Sequence, residues 1–110
     1  MKKEICIMNN NPPYWNNKRE IGLHRHEVFY GTRNRQKSIE DGLVVYLTPE
    51  NHNMSDKGVH FNKEFDLELK RTAQQIWMDH YNKTTEDFIK RYGRNYLWVI
   101  MRSFWKNTTN

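Results

Sequence analysis

The chain is poor in the residues that staple or interrupt structure: one cysteine, three prolines and five glycines in 110 residues. With Cys6 alone, neither an intrachain disulfide nor a cysteine-built zinc cluster can form, which fits a reducing cytoplasm. Long apolar runs are also missing. No stretch approaches the ~18 residues a membrane helix needs, and the four apolar residues after Glu4 are too few for a signal peptide. The expectation is therefore a cytoplasmic protein with no membrane partner. Apolar residues make up only 36% of the chain, but four Trp, six Tyr and five Phe are among them. Each aromatic buries on the order of 150–250 Å², so the sequence predicts one small, aromatic-weighted core and a single domain over 1–110. A large enclosed substrate cavity is not expected.

Charge is uneven. The net charge is +5, and the cations concentrate at the two ends: Lys18, Arg19, Arg25, Arg33, Arg35 and Lys37 early, then Lys90, Arg91, Arg94, Arg102 and Lys106 late. Asp56, Glu64, Asp66 and Glu68 make the middle acidic. Two basic ends around an acidic centre read either as a phosphate-binding cleft or as a solvated mixed surface.

Along the chain, residues 3–8 alternate weakly and predict a strand, and Asn9 to Pro13 a turn. Tyr14 and Trp15 read as cover for the core edge rather than as a base-stacking platform. Leu23 to Tyr30 predicts a strand with Leu23, Arg25, Glu27 and Phe29 on one face and His24, His26, Val28 and Tyr30 on the other. Thr32 to Ile39 is a polar, basic connection, and Ser38 to Asp41 looks like a helical turn stopped at Gly42. Leu43 to Leu47 is the clearest strand, bounded by Pro49. The two strands would pair as an antiparallel hairpin. A helix then starts at Asn62 as N-cap, burying Phe65, Leu69, Thr72 or Ala73, Ile76 and Trp77. A second spans Thr85 to Tyr92, with Thr84 or Thr85 as cap, Gly93 as stop, and Phe88, Ile89 and Tyr92 inward. The tail from Tyr96 to Trp105 is apolar with basic punctuation and suits a strand, a helix or a pairing surface for a second copy or another protein.

Four of the five histidines lie between Leu23 and Asn62: His24, His26, His52 and His60. Hydrolysis of a phosphodiester with a metal needs a base, a divalent cation and cations to hold the flanking backbone. His24 and His26 share a strand face, whereas His26 and Glu27 point to opposite faces unless the strand bends. His52 and His60 are too far apart for one helical turn, but a loop can converge them. A lone histidine is most often structural, and His24 is read that way. His80 reads as helix surface.

The run HRHEVFYGTRNRQKSIEDGLVVYLTPENHN, followed by GVHFNKEF, resembles the small HNH-type (ββα-metal) nuclease-like proteins of bacteriophages and prophages. That group carries the order HHxFxG, NRxxS, YGLxVxL, a histidine-rich turn, GVHxN and a late FGxNYL, matched here at its end by Tyr92-Gly93-Arg94-Asn95-Tyr96-Leu97. The likeness spans Leu23 to Leu97, about two thirds of the chain. It implies an α+β fold: a ββα-metal core over about 23–97, with a hairpin, a long helix after it and a further C-terminal helix and tail to residue 110. It also implies a divalent-metal-dependent endonuclease acting on DNA in the host cytoplasm. His26 and Glu27 take the catalytic positions, Glu27 standing where the family has its base histidine. His26, His52 and His60 become the metal ligands, with Mg2+ or Mn2+ placed ahead of Zn2+. Asn34 and Arg35 match the NR pair, and with Arg25, Arg33 and Lys37 form the candidate DNA contacts. The family's middle Asn is absent, or is replaced by Asp41, and Thr48 and Asn51 stand where relatives often carry Cys or His. Because the base position departs from the pattern, the alternative reading is a catalytically silent module that binds nucleic acid or a host protein.

Overall fold

Two short strands form the hairpin. β1 (His24–Glu27) and β2 (Val44–Leu47) pair antiparallel, with His24 opposite Leu47 and Glu27 opposite Val44. The protein, taken from a computed structural model, is described over residues 5–9, 15–54 and 62–97. The predicted strand over Leu23 to Tyr30 is shorter than its alternation suggested. Past Glu27 one more bond keeps the register, Val28 N–H to the Leu43 carbonyl at 3.0 Å, and the backbone then turns away, Phe29 N–H donating to Ser38 Oγ at 3.2 Å. Ser38 in turn donates to the Leu43 carbonyl at 2.6 Å, so one buried hydroxyl closes the hairpin's open end. β2 is buried along its whole length, as expected of an uninterrupted apolar run covered on both faces. On its far side a single bridge joins Tyr46 to Asn16. Residues 5–9 form no strand, contrary to expectation. Their link is local, with Ile7 N–H bonding the Gly42 carbonyl at 2.9 Å and Cys6 Sγ the Val44 carbonyl at 3.1 Å.

Between the strands runs α1 (Arg35–Asp41). The basic connection is therefore half helix, and Arg35 and Lys37 belong to it. Gly42 stops it at φ 77°, as the sequence predicts. A Cβ here would also meet Ile5 Cγ2 at 2.8 Å and Ile7 N at 3.1 Å. After β2 comes a π-helical turn (Glu50–Met54). α2 (Lys63–Tyr81) follows, capped by the Asn62 side chain, which accepts from Phe65 N–H. α3 (Thr85–Tyr92) opens with a reciprocal box in which Thr84 and Asp87 bond each other's backbone N–H. These caps satisfy donors left unpaired at helix starts.

The core is the expected aromatic one. Phe29 meets Phe88, Tyr92 and Tyr96 at ring centroids of 5.3, 4.8 and 5.3 Å, and Trp77 meets Phe88 at 5.3 Å. Trp15 is buried with them, so its role is packing; Tyr14 lies outside the described residues. α2 buries Phe65, Leu69, Ala73 and Trp77 as the stripe predicts, with Ile76 only half-buried. Ile89 departs from expectation at 39% exposed. An eight-residue helix presents one narrow stripe, here filled by Phe88 and Tyr92, and Ile89 falls beside it. The segment 98–110 lies outside the described residues.

One carboxylate ties the helices together. Asp41, at the end of α1, accepts from Trp77 Nε1 at 2.8 Å, Tyr92 OH at 2.6 Å, and Arg91 through Nε at 2.5 Å and Nη2 at 2.8 Å. Its backbone carbonyl accepts from Tyr81 OH at 3.0 Å. The hydrogen bonds to Asp41 raise the Arg91 pKa.

Two stability measurements follow. Asp41→Asn removes the nearer of the two carboxylates on the Arg91 guanidinium and leaves Glu40 Oε1 at 3.2 Å. Removing one partner of a buried pair costs roughly 3–5 kcal/mol; with Glu40 still in place and a third of the Arg91 side chain exposed, the loss should fall below that range. The urea midpoint should fall accordingly, and an unchanged midpoint would contradict the role given to Asp41. Gly42→Ala should cost more than Gly93→Ala. Both demand a left-handed backbone, worth roughly 1–2 kcal/mol against a side chain, but only at Gly42 does the new methyl meet a neighbour within 4 Å.

Candidate metal and phosphate site

β1 keeps its alternation, and that decides what its side chains can share. His24 and His26 lie on one face and Arg25 and Glu27 on the other. The chain leaving β2 then folds back over the histidine face. Thr48 starts the turn: its Oγ1 accepts from Asn51 N–H at 3.2 Å and its carbonyl from His52 N–H at 2.9 Å. Thr48 and Asn51, which the resemblance sets at positions of Cys or His, thus serve as the device that aims His52. Because Leu47 pairs with His24, a tight turn after β2 delivers His52 directly above the start of β1.

Three imidazoles result. His24 Nδ1 and His52 Nδ1 are 3.3 Å apart, and their rings cross at 87°. The His26 ring lies 5.3 Å from that of His52 at 67°. His26 is 2% exposed, His52 half-buried and His24 exposed. His60 lies outside the described residues. Of the predicted ligands, then, His26 and His52 are brought together, and His24, read as structural, is the ring in direct nitrogen-to-nitrogen contact with His52. The signal was available in the shared strand face, but the partner was not. His80 sits exposed on α2, its ring 4.6 Å from that of Tyr81, as expected of helix surface.

A metal implied by the resemblance can be tested against this donor set. Imidazole–Zn2+ bonds are about 2.0–2.1 Å, which puts two tetrahedral ligand atoms about 3.3–3.4 Å apart. The His24–His52 spacing meets that figure. Without a cation, the same spacing is a hydrogen bond between two neutral imidazoles of opposite tautomer. Among the described residues no group of three or more His, Cys, Asp or Glu side chains is arranged to hold an ion. The fit therefore concerns a pair of ligands with a third ring alongside.

The opposite face is a charge strip. Glu27 Oε2 pairs with Arg25 Nε at 3.0 Å and Oε1 with Arg35 Nε at 3.3 Å. The carboxylate placed at the family's base position thus faces two guanidiniums, away from the histidines. Arg35 reaches it from the first turn of α1 with its side chain 68% exposed, and Arg33 is exposed just before. Asn34 and Lys37 face α3 instead: Asn34 Nδ2 donates to the Tyr92 carbonyl at 3.2 Å and Lys37 Nζ to the Arg91 carbonyl at 2.7 Å. They cap carbonyls at the C-terminal end of that helix. Asp41, considered as a substitute for the motif's orienting Asn, is engaged in the interhelical network.

Sequence reading missed a second polar group beside His26. The Tyr30 ring lies 5.6 Å from it. Lys70 Nζ sits 4.3 Å from the Tyr30 centroid and 5.6 Å from that of Tyr96, a cation–π arrangement, and pairs with Asp66 Oδ2 at 3.0 Å. The Asp66–Lys70 spacing along a helix was legible; the aromatic partners, from β1's far end and beyond α3, were not. Burial first, then the Asp66 charge and hydrogen bond, push the Tyr30 phenol up to about 12.

No protein-family model matches the chain, and neither does any curated protein or solved structure.

The tyrosines set an alkaline limit. Tyr92, Tyr81 and Tyr96 are also raised, each chiefly by burial. Unfolded phenols ionise near ~10. Above that pH the unfolded chain gives up protons that the native chain keeps, so this stabilisation is whole below ~10 and is lost as pH rises towards the folded value of about 12 for Tyr30. The thermal midpoint should fall through that window, and a midpoint that stays level across it would contradict this.

Proposed function

We propose that the chain is a divalent-metal-dependent endonuclease of the ββα-metal, HNH-like kind, acting on DNA phosphodiester bonds. The observation that supports it best is the convergence of His26 and His52, from β1 and the turn after β2, within 5.3 Å ring to ring. His26 and His52 would hold the ion, with His60 of the resembled motif as their companion. When bound, a divalent cation supplies Lewis-acid offset for charge on the scissile phosphate.

The protein's own groups do the rest. β1 is an edge strand of a two-stranded sheet, so a DNA backbone laid across it meets imidazoles on one side and Arg25 and Arg35 on the other. Phosphates have a strong claim on guanidiniums because two parallel hydrogen bonds can form. A phosphate that engages Arg35 withdraws it from Glu27 Oε1 and leaves that oxygen able to take a proton from water. Arg33 extends the basic edge. Asn34 and Lys37 contribute by holding α1 against α3.

A second reading, a silent module that binds nucleic acid, draws on one observation: both Glu27 oxygens already have guanidinium partners. Plasmid nicking with Mg2+, Mn2+ or Zn2+ against an EDTA control separates the two. On the endonuclease reading the wild type nicks, His26→Ala and His52→Ala do not, and Glu27→Gln is slowed about 10²–10⁴-fold, the usual worth of a general base. Binding without nicking in any of these ions would transfer the conclusion to the silent module. On either reading Arg35→Ala should flatten the salt dependence of DNA affinity by about 0.9 in the log–log slope if it contacts one phosphate.

A further inference from the structure

We infer that His24, which stands outside the resembled motif, is a metal ligand paired with His52, and that the site is consequently a nitrogen-donor seat for Zn2+-class ions rather than for Mg2+ or Mn2+. The inference rests on the proposed metal site, but not on cleavage.

Position carries the first half. Both histidines are anchored through their backbone. His24 is held by strand pairing opposite Leu47, and His52 by its own N–H bonded to the Thr48 carbonyl at 2.9 Å. The two anchors are separated along the chain only by Thr48 to Asn51, so little freedom remains between them. Their Nδ1 atoms stand 3.3 Å apart, the edge expected of a tetrahedral ion with imidazole ligands, about 3.3–3.4 Å. An octahedral Mg2+ with bonds of about 2.0–2.1 Å would call for an edge nearer 2.9 Å and for oxygen donors. His24 is exposed, which gives an ion a direct way in, while buried His26 lies alongside His52 as the third ring.

Donor chemistry carries the second half. The groups these elements bring together are imidazoles, which suit Zn2+, Co2+, Ni2+ and Cu2+, whereas Mg2+ and Mn2+ prefer carboxylate and water oxygen. Glu27, the carboxylate of β1, points to the opposite face and is paired with Arg25 and Arg35.

Titration calorimetry with Zn2+ and the visible absorption of bound Co2+ test this on the full chain. The wild type should bind Zn2+ and develop the intense bands of tetrahedral Co2+, with Mg2+ at least 100-fold weaker, on the order expected from the softness of the donors. His24→Ala and His52→Ala should each weaken Zn2+ by roughly 100-fold or more, above the losses seen for outer-shell changes. His80→Ala, on the exposed face of α2, should bind as the wild type does. Because His24 is exposed, its variant should melt at the wild-type temperature, so loss of metal cannot be charged to misfolding. Wild-type Zn2+ affinity and an unchanged Co2+ spectrum in His24→Ala would overturn the assignment, as would failure of the wild type to bind Zn2+. If His24→Ala loses Zn2+ while the loaded wild type leaves DNA intact, the ligand stands and the endonuclease reading falls. If the wild type nicks DNA and His24→Ala both nicks and binds Zn2+ equally well, the reverse holds.

Discussion

The Asp41 carboxylate is the constraint on which the arrangement depends. It closes α1 and receives donors from Trp77 of α2 and from Arg91 and Tyr92 of α3. In a chain without a disulfide among the described residues, one partly buried charge with several charge-assisted hydrogen bonds takes the place of a cross-link. Such a group is costly to bury alone and cheap only when every donor is in place. The same economy fixes α1 along its length, because Asn34 and Lys37 bond the carbonyls of Tyr92 and Arg91. Arg35 therefore reaches Glu27 from a helix braced at both ends.

That bracing matters because β1 divides the chemistry. Four residues place two histidines on one face and an arginine and a glutamate on the other. Among the described residues the strand has a partner only on the β2 side, and a ligand that crosses its edge meets exposed His24 on one face and Arg25 on the other. Imidazoles suit a cation, and guanidiniums suit phosphate. A polyanion carrying its own phosphates, spanning a narrow edge, satisfies both faces in a way that a small molecule confined to one side does not. This geometry supports a nucleic-acid reading more directly than the net charge does.

How much of this the sequence disclosed depends on how far apart the cooperating residues are. Asn62, Thr84, Gly42 and Gly93 were legible because capping is decided within a few residues. The alternation of β1 and the aromatic stripe of α2 were legible because period and burial coincide. What failed were contacts set by three-dimensional closure. Asp41 reads as an ordinary acidic residue until Arg91, fifty residues later, is folded beside it. Tyr30 gains Lys70 and Asp66 only once α2 packs against the segment that follows β1. His24 shares a strand face with His26, yet its meeting with His52 needed the turn at Thr48, built from one side-chain and one backbone hydrogen bond rather than from any periodic pattern. The strand expected over residues 3–8 is absent from the described residues 5–9 for a related reason: the alternation is real, but among the described residues only Ile7 offers a backbone bond to Gly42, so no ladder forms there.

Whether the site cuts turns on Glu27 and on the histidine face together. Both Glu27 oxygens face guanidiniums, Oε2 that of Arg25 at 3.0 Å and Oε1 that of Arg35 at 3.3 Å. On the proposed reading a nucleic acid changes that pairing through the arginines, not through the carboxylate. Arg25 and Arg35 cannot serve phosphate and Glu27 fully at the same time. Arg35, with the more exposed side chain and the longer 3.3 Å contact, is the first to go. On the proposed reading, substrate binding and exposure of the base are then one event, and the idle protein keeps its carboxylate covered. On the silent reading the same exchange occurs, and the freed oxygen simply has no activated water to meet, so the histidine face must supply what distinguishes them.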